Sequence, residues 1–535
     1  MGFNLITCVS VAFVAWLVYY FILYPVIFSP LAKIPAPHWS CHISPLWILL
    51  ARKNNFQNKL LHKAHLKLGP VVRIGPSEMS VDGYDALKTI YQGGFEKDKW
   101  YSIFDNYGVP CMFSTLGSKS HSLRKRMISN VYSKSFIHAS PAAKAQAQAI
   151  LFGRLLPLLS NSAAGPRPQG IEAFSTFLAS TMDFITAYVY GLRNSTDFLR
   201  QKAYRDHWLQ LYLVRANYGF WPQEMPRLTV FLGRFGPILK PYPAWVDDAN
   251  AELGEWNEKL CKRAYQATHG SNTEIDKEDV VDEPVVFRAL EAGIEKEHRA
   301  NGKESLLYST TILKKDLSMA SELLDQVLAG QETAGIALTY LAWHLSKSPS
   351  LQQELKEELL TLNPPMRMSA DRSSLPALPD PKQVDSLPVL HAIIMETLRL
   401  HAPIPGPEPR RTPHPSCQLG GCYVPGGVRV AALGYTLHRN EKVFPWPENW
   451  DHTRWLESET TEEQRRHMNR YFWAFGSGGR MCIGSNFAMN EMKFIAAAIW
   501  SNFTTHIVDD MGIEQEDAYT ARPMSESLIL RFERV

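Results

Sequence analysis

A chain of 535 residues with 45% hydrophobic, 11% aromatic and 20% charged residues has ample apolar matter for a large core, which excludes a disordered or low-complexity protein. Its formal charge of +3, with no long basic run, is too small to argue for nucleic acid as a partner and leaves any electropositive function to a local patch. The seven cysteines are odd in number and scattered, which excludes a disulfide scaffold and suits reduced thiols facing the cytosol.

The N-terminus comes first in the chain and in the argument. From Met1 to Ala32 no side chain is charged, and Leu5 to Leu23 is almost wholly apolar, long enough to cross a bilayer as a helix. Trp16, Tyr19, Tyr20 and Tyr24 suit an interfacial position. A cleaved signal peptide is the rival reading, but basic residues and a clear small-residue cleavage site are missing, so an uncleaved anchor is preferred. The first positive charges, Lys33, Arg52 and Lys53, follow the segment and place the rest of the chain in the cytosol. Pro25, Pro30, Pro35 and Pro37 should end the helix and continue it as a stiff extended strap. The predicted organisation is an anchor over 1–28, a strap over 29–40 and a single large domain over 41–535.

Next, VVRIGPSEMSVDG predicts a short β-hairpin. Most of the following residues read as helix, with breaks at Asn161 to Gly170, at Gly270 to Pro284, and along the proline-rich Asn363 to Pro388. None has the character of a free linker, so the prediction is one mainly helical unit with small β pieces. Asp316 to Ser346 predicts a proline-free helix of roughly 45 Å, apolar nearly all round and therefore central. Gly330 and Gly335 inside it cost about 1 kcal/mol each against Ala, which implies a close approach by another group or a local distortion. In its middle lies Ala329-Gly-Gln-Glu332-Thr333. Read alone, the Thr and Glu are either a polar patch in a core helix or a proton relay beside an oxygen-binding site. A helix starting near Ser386 carries Glu396 and Arg399 on one face, where they can pair. Cys417 and Cys422 make half a zinc site, with no second pair to complete it.

The strongest signal is Phe475-Gly-Ser-Gly-Gly-Arg-Met-Cys482-Ile-Gly484. Its glycines permit positive φ and leave room for a flat ligand. Arg480 supplies a fixed charge, and Ser485 to Trp500 predicts a helix whose N-terminus follows Cys482 and favours a thiolate of lowered pKa. A buried structural cysteine in a glycine-rich turn is the bland alternative.

This segment resembles, position for position, the Phe-x-x-Gly-x-Arg-x-Cys-x-Gly signature of the cytochromes P450. Glu396-Thr-Leu-Arg399 is similar to the family's Glu-x-x-Arg motif, and Ala329 to Thr333 to its oxygen-activation motif. The resemblance implies the family's helix-rich fold and a haem b bound through Phe475, Gly478, Arg480 and Gly484, with Cys482 as the axial iron ligand. Glu332 and Thr333 become catalytic. Glu396 and Arg399 become a buried structural pair joined by Arg454, from Trp450-Asp-His-Thr-Arg454-Trp455, where His452 and Thr453 replace the usual Pro and Glu. Arg410 matches an arginine that reaches a haem propionate. His121 and Lys125 stand where the family commonly has Trp and Arg, with Arg124 or Arg126 as alternatives.

The activity implied is an NADPH- and O2-dependent monooxygenase acting on an apolar small molecule, in the style of microsomal enzymes of fungal secondary metabolism. Electrons would come from an NADPH-cytochrome reductase in the endoplasmic reticulum membrane, docked on Arg465, Arg466, Arg470 and Lys493. Substrate contacts are expected from Lys97 to Ser114, Trp208 to Pro241, Pro403 to Gly406 and Ala521 to Ser525. Two other readings are a haem-thiolate isomerase or dehydratase, which would dispense with the acid–threonine pair, and a non-catalytic haem sensor or electron carrier.

Overall fold

In the computed structural model, which describes residues 2–164, 170–270, 279–369 and 374–535, helices dominate and the strands of these residues form three small sheets. Parts of the three expected breaks, residues 165–169, 271–278 and 370–373, lie outside the described residues. The third break is less irregular than expected. It contains a helical turn, Pro381–Asp385, and the next helix starts with Pro388, whose missing N–H costs nothing at a first helical position.

Ile6–Phe28 is a helix long and apolar enough to cross a membrane. It does not stop at Pro25 but runs on to Phe28. From Tyr19 the winding is wider, ending with the Ser29 amide on the Tyr24 carbonyl at 2.7 Å. A wider turn gives the proline ring room that a regular turn denies it. The carbonyl of Pro25 accepts a bond from Arg73 Nη1 at 2.8 Å, tying the end of this helix to the first sheet. The expected extended strap is instead two tight helical turns, Pro30–Lys33 and Trp39–His42, capped by the side chains of Ser29 and His38.

The predicted hairpin is present as Val71–Gly75 paired antiparallel with Glu78–Val81. It continues into a five-stranded sheet through Arg429–Ala431, Arg410–Arg411 and Glu96–Lys97. The register sets Lys97 directly opposite Arg410, so a sheet edge carries facing cations, an arrangement that costs stability unless an anion joins them.

The long helix spans Lys315–Lys347 and runs through the main core against Ala173–Tyr190. A Cβ on Gly330 would stand 2.9 Å from the Ile185 side chain, and one on Gly335 would stand 2.6 Å from that of Leu178 and 3.1 Å from its Cα. The close approach that two glycines implied is therefore made by this neighbouring helix. Pro388–Leu400 and Ser485–Trp500 pack beside the long helix, bringing the Glu396 and Cys482 regions to its flank.

Candidate active site

Cys482 lies in the loop just before the helix Ser485–Trp500, its amide bonded to the Phe475 carbonyl at 2.9 Å. Gly476 (φ 67°) and Gly478 (φ 73°) turn the loop, and a Cβ on Gly478 would lie 2.4 Å from the Tyr91 carbonyl oxygen. Glycine is therefore required there twice over, by conformation and by space. Arg480 donates to the Thr115 carbonyl at 2.8 Å and to Glu96 at 3.0 Å. Lys125 Nζ donates to the carbonyls of Gly479 and Met481, both at 3.1 Å, so it grips the loop's backbone from outside. Burial pushes the Cys482 thiol up, and the Gly484 amide and Lys125 only partly oppose this. The pull of the loop amide and of Lys125 acts in the direction the sequence suggested, towards the thiolate.

Cys482, Phe475, Arg480 and Gly484 line a cavity of about 1160 Å³, and so do Arg410, His121, Glu332 and Thr333. Arg410 is buried and donates to the Tyr101 hydroxyl at 2.8 Å and to Glu408 at 3.2 Å. Lys97, its neighbour across the sheet, donates to the Phe113 carbonyl and lies over the rings of Tyr101 and Phe113. Burial together with Arg410 and Arg480 lowers the Lys97 ammonium. Burial, with Arg480, Lys97, Lys125 and Arg410 around it, drives His121 down to about 3. Glu96 and Glu408 are the carboxylates that pair with these cations among the described residues. Such a surplus of buried positive charge suits a ligand carrying anionic groups along one edge. The sequence placed Lys97 only at the start of an expected substrate-contact segment; its place among these cations, opposite Arg410, exists only once the strands are paired. Of the alternatives to Lys125, Arg124 turns away to Ser318 and Thr310, and Arg126 is exposed.

On the long helix, Thr333 Oγ1 donates to the Ala329 carbonyl at 2.8 Å. Glu332 is buried, accepting from the Tyr212 hydroxyl at 2.7 Å and from Arg522 Nε at 2.8 Å. Arg522 also pairs with Glu526 at 2.6 Å. Tyr212 and Arg522 fall within segments expected to line the cavity, but no local spacing singled them out. Asp325 also lines the cavity, two turns before Thr333 on the same face of the helix. Burial and the nearby Glu322 raise its carboxyl to about 7, against the pull of Lys97 and the Cys111 thiol.

Glu396, Arg399 and Arg454 are brought together away from the cavity's chemistry. Glu396 and Arg399 are wholly buried and share two bonds at 2.7 and 2.8 Å. Arg454 Nε reaches Glu396 at 3.3 Å, Trp455 Nε1 reaches it at 3.0 Å, and Arg399 holds the carbonyls of His438, Pro447 and Asn449. The substituted His452 and Thr453 leave this cluster intact: Asp451 caps the turn and its amide also reaches Glu396, at 3.0 Å.

The expected docking patch needs correction. Lys493 is buried, bonded to the Asp385 carboxylate at 2.8 Å and its carbonyl at 2.7 Å, because the helix Ser485–Trp500 turns that face inward against Pro381–Asp385. Arg465, Arg466 and Arg470 remain at the surface, and Arg466 pairs with Glu462. The zinc reading also falls. Cys417 and Cys422 sit on the two strands of a hairpin, all seven cysteines are free, and among the described residues no cluster of three or more metal-ligating side chains forms.

Elsewhere on the cavity wall, Glu224 accepts from Arg52 at 2.9 Å, Arg429 at 3.2 Å and Trp100 Nε1 at 2.8 Å. Glu78 shares the same two arginines. This network ties the helical turn Phe220–Glu224 to the first sheet.

A family model, "Cytochrome P450", matches residues 287–526, a stretch holding Glu332, Thr333, the Glu396 cluster and Cys482. Along nearly its whole length the chain is similar to curated fungal proteins. A "Cytochrome P450 monooxygenase orf2" of Aspergillus niger is 25% identical over 93% of this chain and 91% of its own. "Tryprostatin B 6-hydroxylase" of Aspergillus fumigatus is 25% identical over 96% and 83%. "Cytochrome P450 monooxygenase aflV" of Aspergillus parasiticus is 27% identical over 88% and 84%. With a cysteine loop, a cationic cavity edge and an acid–threonine helix gathered on one cavity, and with relatives of this kind along the chain, the protein carries a cytochrome P450 domain over residues 287–526 and, like these relatives, is a monooxygenase.

Proposed function

We propose that the chain is a membrane-anchored haem b enzyme of secondary metabolism that inserts one oxygen atom into an apolar small molecule. The observation that carries this is the sharing of one cavity by the Cys482 thiol, the Lys97–Arg410–Arg480 cations and Thr333. Cys482 would hold the iron of haem b, and the chemistry that group would supply is the activation of O2, with one atom for the substrate and the other released as water. Arg410, Arg480 and His121, with Lys97, would hold the propionates, while Phe475 and Gly484 would bed the ring and Gly478 turns the loop against Tyr91 behind them.

The remaining work belongs to this chain's side chains. Thr333 keeps its hydroxyl proton on the Ala329 carbonyl oxygen and can turn it into the cavity. Glu332, the next residue on the helix, is fixed by Tyr212 and Arg522, and its Oε2 accepts the Tyr212 hydroxyl, a contact along which a proton can be handed on. Lys125 holds the cysteine loop in place.

Electrons come from NADPH through a reductase that docks near Arg465, Arg466 and Arg470. Ile6–Phe28 anchors the protein in the endoplasmic reticulum with the domain in the cytosol, a reading supported by the charges that follow it.

The test is reconstitution with a reductase in lipid nanodiscs, with products read by mass spectrometry. Product should require both NADPH and O2, and Cys482→Ala should abolish both product and the red-shifted carbon-monoxide band of the reduced protein. Turnover without NADPH and O2 would establish the isomerase or dehydratase reading instead.

A further inference from the structure

Cys417 and Cys422 take no part in the cavity, and among the described residues no third ligand joins them to make a metal site. Their strands, Ser416–Leu419 and Cys422–Pro425, pair so that Cys417 stands opposite Val424 and Cys422 opposite Leu419. Residues opposite one another, and residues two apart on one strand, share a face of the sheet. All four side chains therefore lie on one side of the hairpin. Leu419 and Val424 are buried there, and the two thiols, half-buried and free, pack at the margin of the same small core.

That core reaches the foot of the anchor helix. The strand Cys422–Pro425 packs on the turn Pro30–Lys33, which begins two residues after Phe28, where Ile6–Phe28 ends. Leu31 and Ile34 share the core with Leu419 and Val424. Nothing on the hairpin holds it in water by charge: from Thr412 to Val428 there is no Asp, Glu, Lys or Arg. Tyr423, next to Cys422, is 54% exposed. An uncharged loop with an outward tyrosine suits the headgroup layer of a bilayer. Free thiols beside the exit of a membrane helix are placed to accept a fatty acyl group.

We infer that Cys417 and Cys422 form an S-acylation site, at which a long-chain fatty acyl group ties this hairpin to the bilayer beside the anchor helix. In the transfer the cysteine sulfur, as thiolate, attacks the carbonyl carbon of a long-chain acyl-coenzyme A. A C–S bond to the cysteine forms, the C–S bond to coenzyme A breaks, and the thiol's proton ends on coenzyme A; nothing is oxidised or reduced. One acyl chain alone gives only marginal membrane binding, so beside a spanning helix its work is to fix the attitude of the domain. This rests on the reading of Ile6–Phe28 as a membrane anchor.

The test uses the full-length protein made in a fungal host fed alkyne-tagged palmitate, and it has two readouts. Trypsin cuts after Arg411 and Arg429 and releases residues 412–429, with both thiols on one peptide. Mass spectrometry of that peptide from wild type should show an acyl group that hydroxylamine removes. On the intact protein the tag should persist in C8S, changed only within the anchor helix, and vanish from C8S/C417S/C422S. The carbon-monoxide band of each reduced variant should match wild type, which reports folding; the wild-type peptide decides even if a variant fails to fold. An unacylated wild-type peptide, one closed by a disulfide, or a tag equally strong without the two cysteines would overturn the assignment. A wild-type protein that high salt washes off membranes would sink the anchor reading, while the mass of the peptide still decides the acylation.

Discussion

Thr333 and Glu332 are adjacent in sequence, yet the structure gives them different freedoms. The threonine hydroxyl rests on its own helix, while the acid is held from both sides by Tyr212 and Arg522. Thr333→Ala should therefore leave haem uptake intact while product formed per NADPH consumed falls several-fold; unchanged coupling argues against a relay at this hydroxyl. His438 offers a pH prediction. Its Nε2 accepts the Trp473 amide at 2.7 Å, and burial with Arg399 and Arg439 nearby holds it down at about 3. An unfolded chain takes up this proton below about pH 6.5, whereas the folded one refuses it down to about 3. The contribution to stability is thus full above pH 6.5 and shrinks by about 1.4 kcal/mol per pH unit on acidification. H438Q keeps an acceptor and lacks this titration, so the stability gap between wild type and variant should narrow from pH 7 to 5 in denaturant melts; a constant gap rules the account out. What was legible at this scale is what lies in one contiguous motif, such as Cys482 or Glu332 with Thr333. Lys97, Tyr212 and Arg522 were not, because their meaning comes from partners across a sheet or more than a hundred residues away.

Among the elements, the long helix was legible because its apolar run is unbroken, and the structure departs from Asp316–Ser346 by one residue at each end. Its glycines announced a close neighbour without naming it. A Gly→Ala change in an open helix gains about 1 kcal/mol. At Gly335 the new methyl would press on Leu178, backbone included, and overpacking of that kind costs about 1–3 kcal/mol. Gly335→Ala should therefore lower the melting temperature, and a rise would mean that the two helices can part without penalty. The N-terminal helix shows the opposite lesson. Proline is read from sequence as a stop, but a locally wider turn carries Pro25 within the helix, and sequence rules assume regular winding. Lys493 misled for a similar reason: a lysine on a helix reads as solvent-facing until the structure supplies Asp385 for it inside.

For the whole molecule, a chain held by Ile6–Phe28 should lose its membrane attachment when residues 2–28 are removed. Fractionation after a high-salt wash should move it from pellet to supernatant, and full retention in the pellet would show that other surfaces suffice. Fold class was legible because helical periodicity and the cysteine signature pointed to one architecture. The cavity's contents were not, since its wall is assembled from distant segments. One stretch of that wall, where Arg52, Arg429 and Glu224 interlock with Glu78 behind them, has a property that no single pair would give it. Each charge answers to two others, so loosening the cluster is an all-or-nothing event, and sheltered pairs gain little relief from salt. The chamber therefore has one rigid shore, and the task of reshaping around cargoes of different bulk falls to the banks that lack such a clasp.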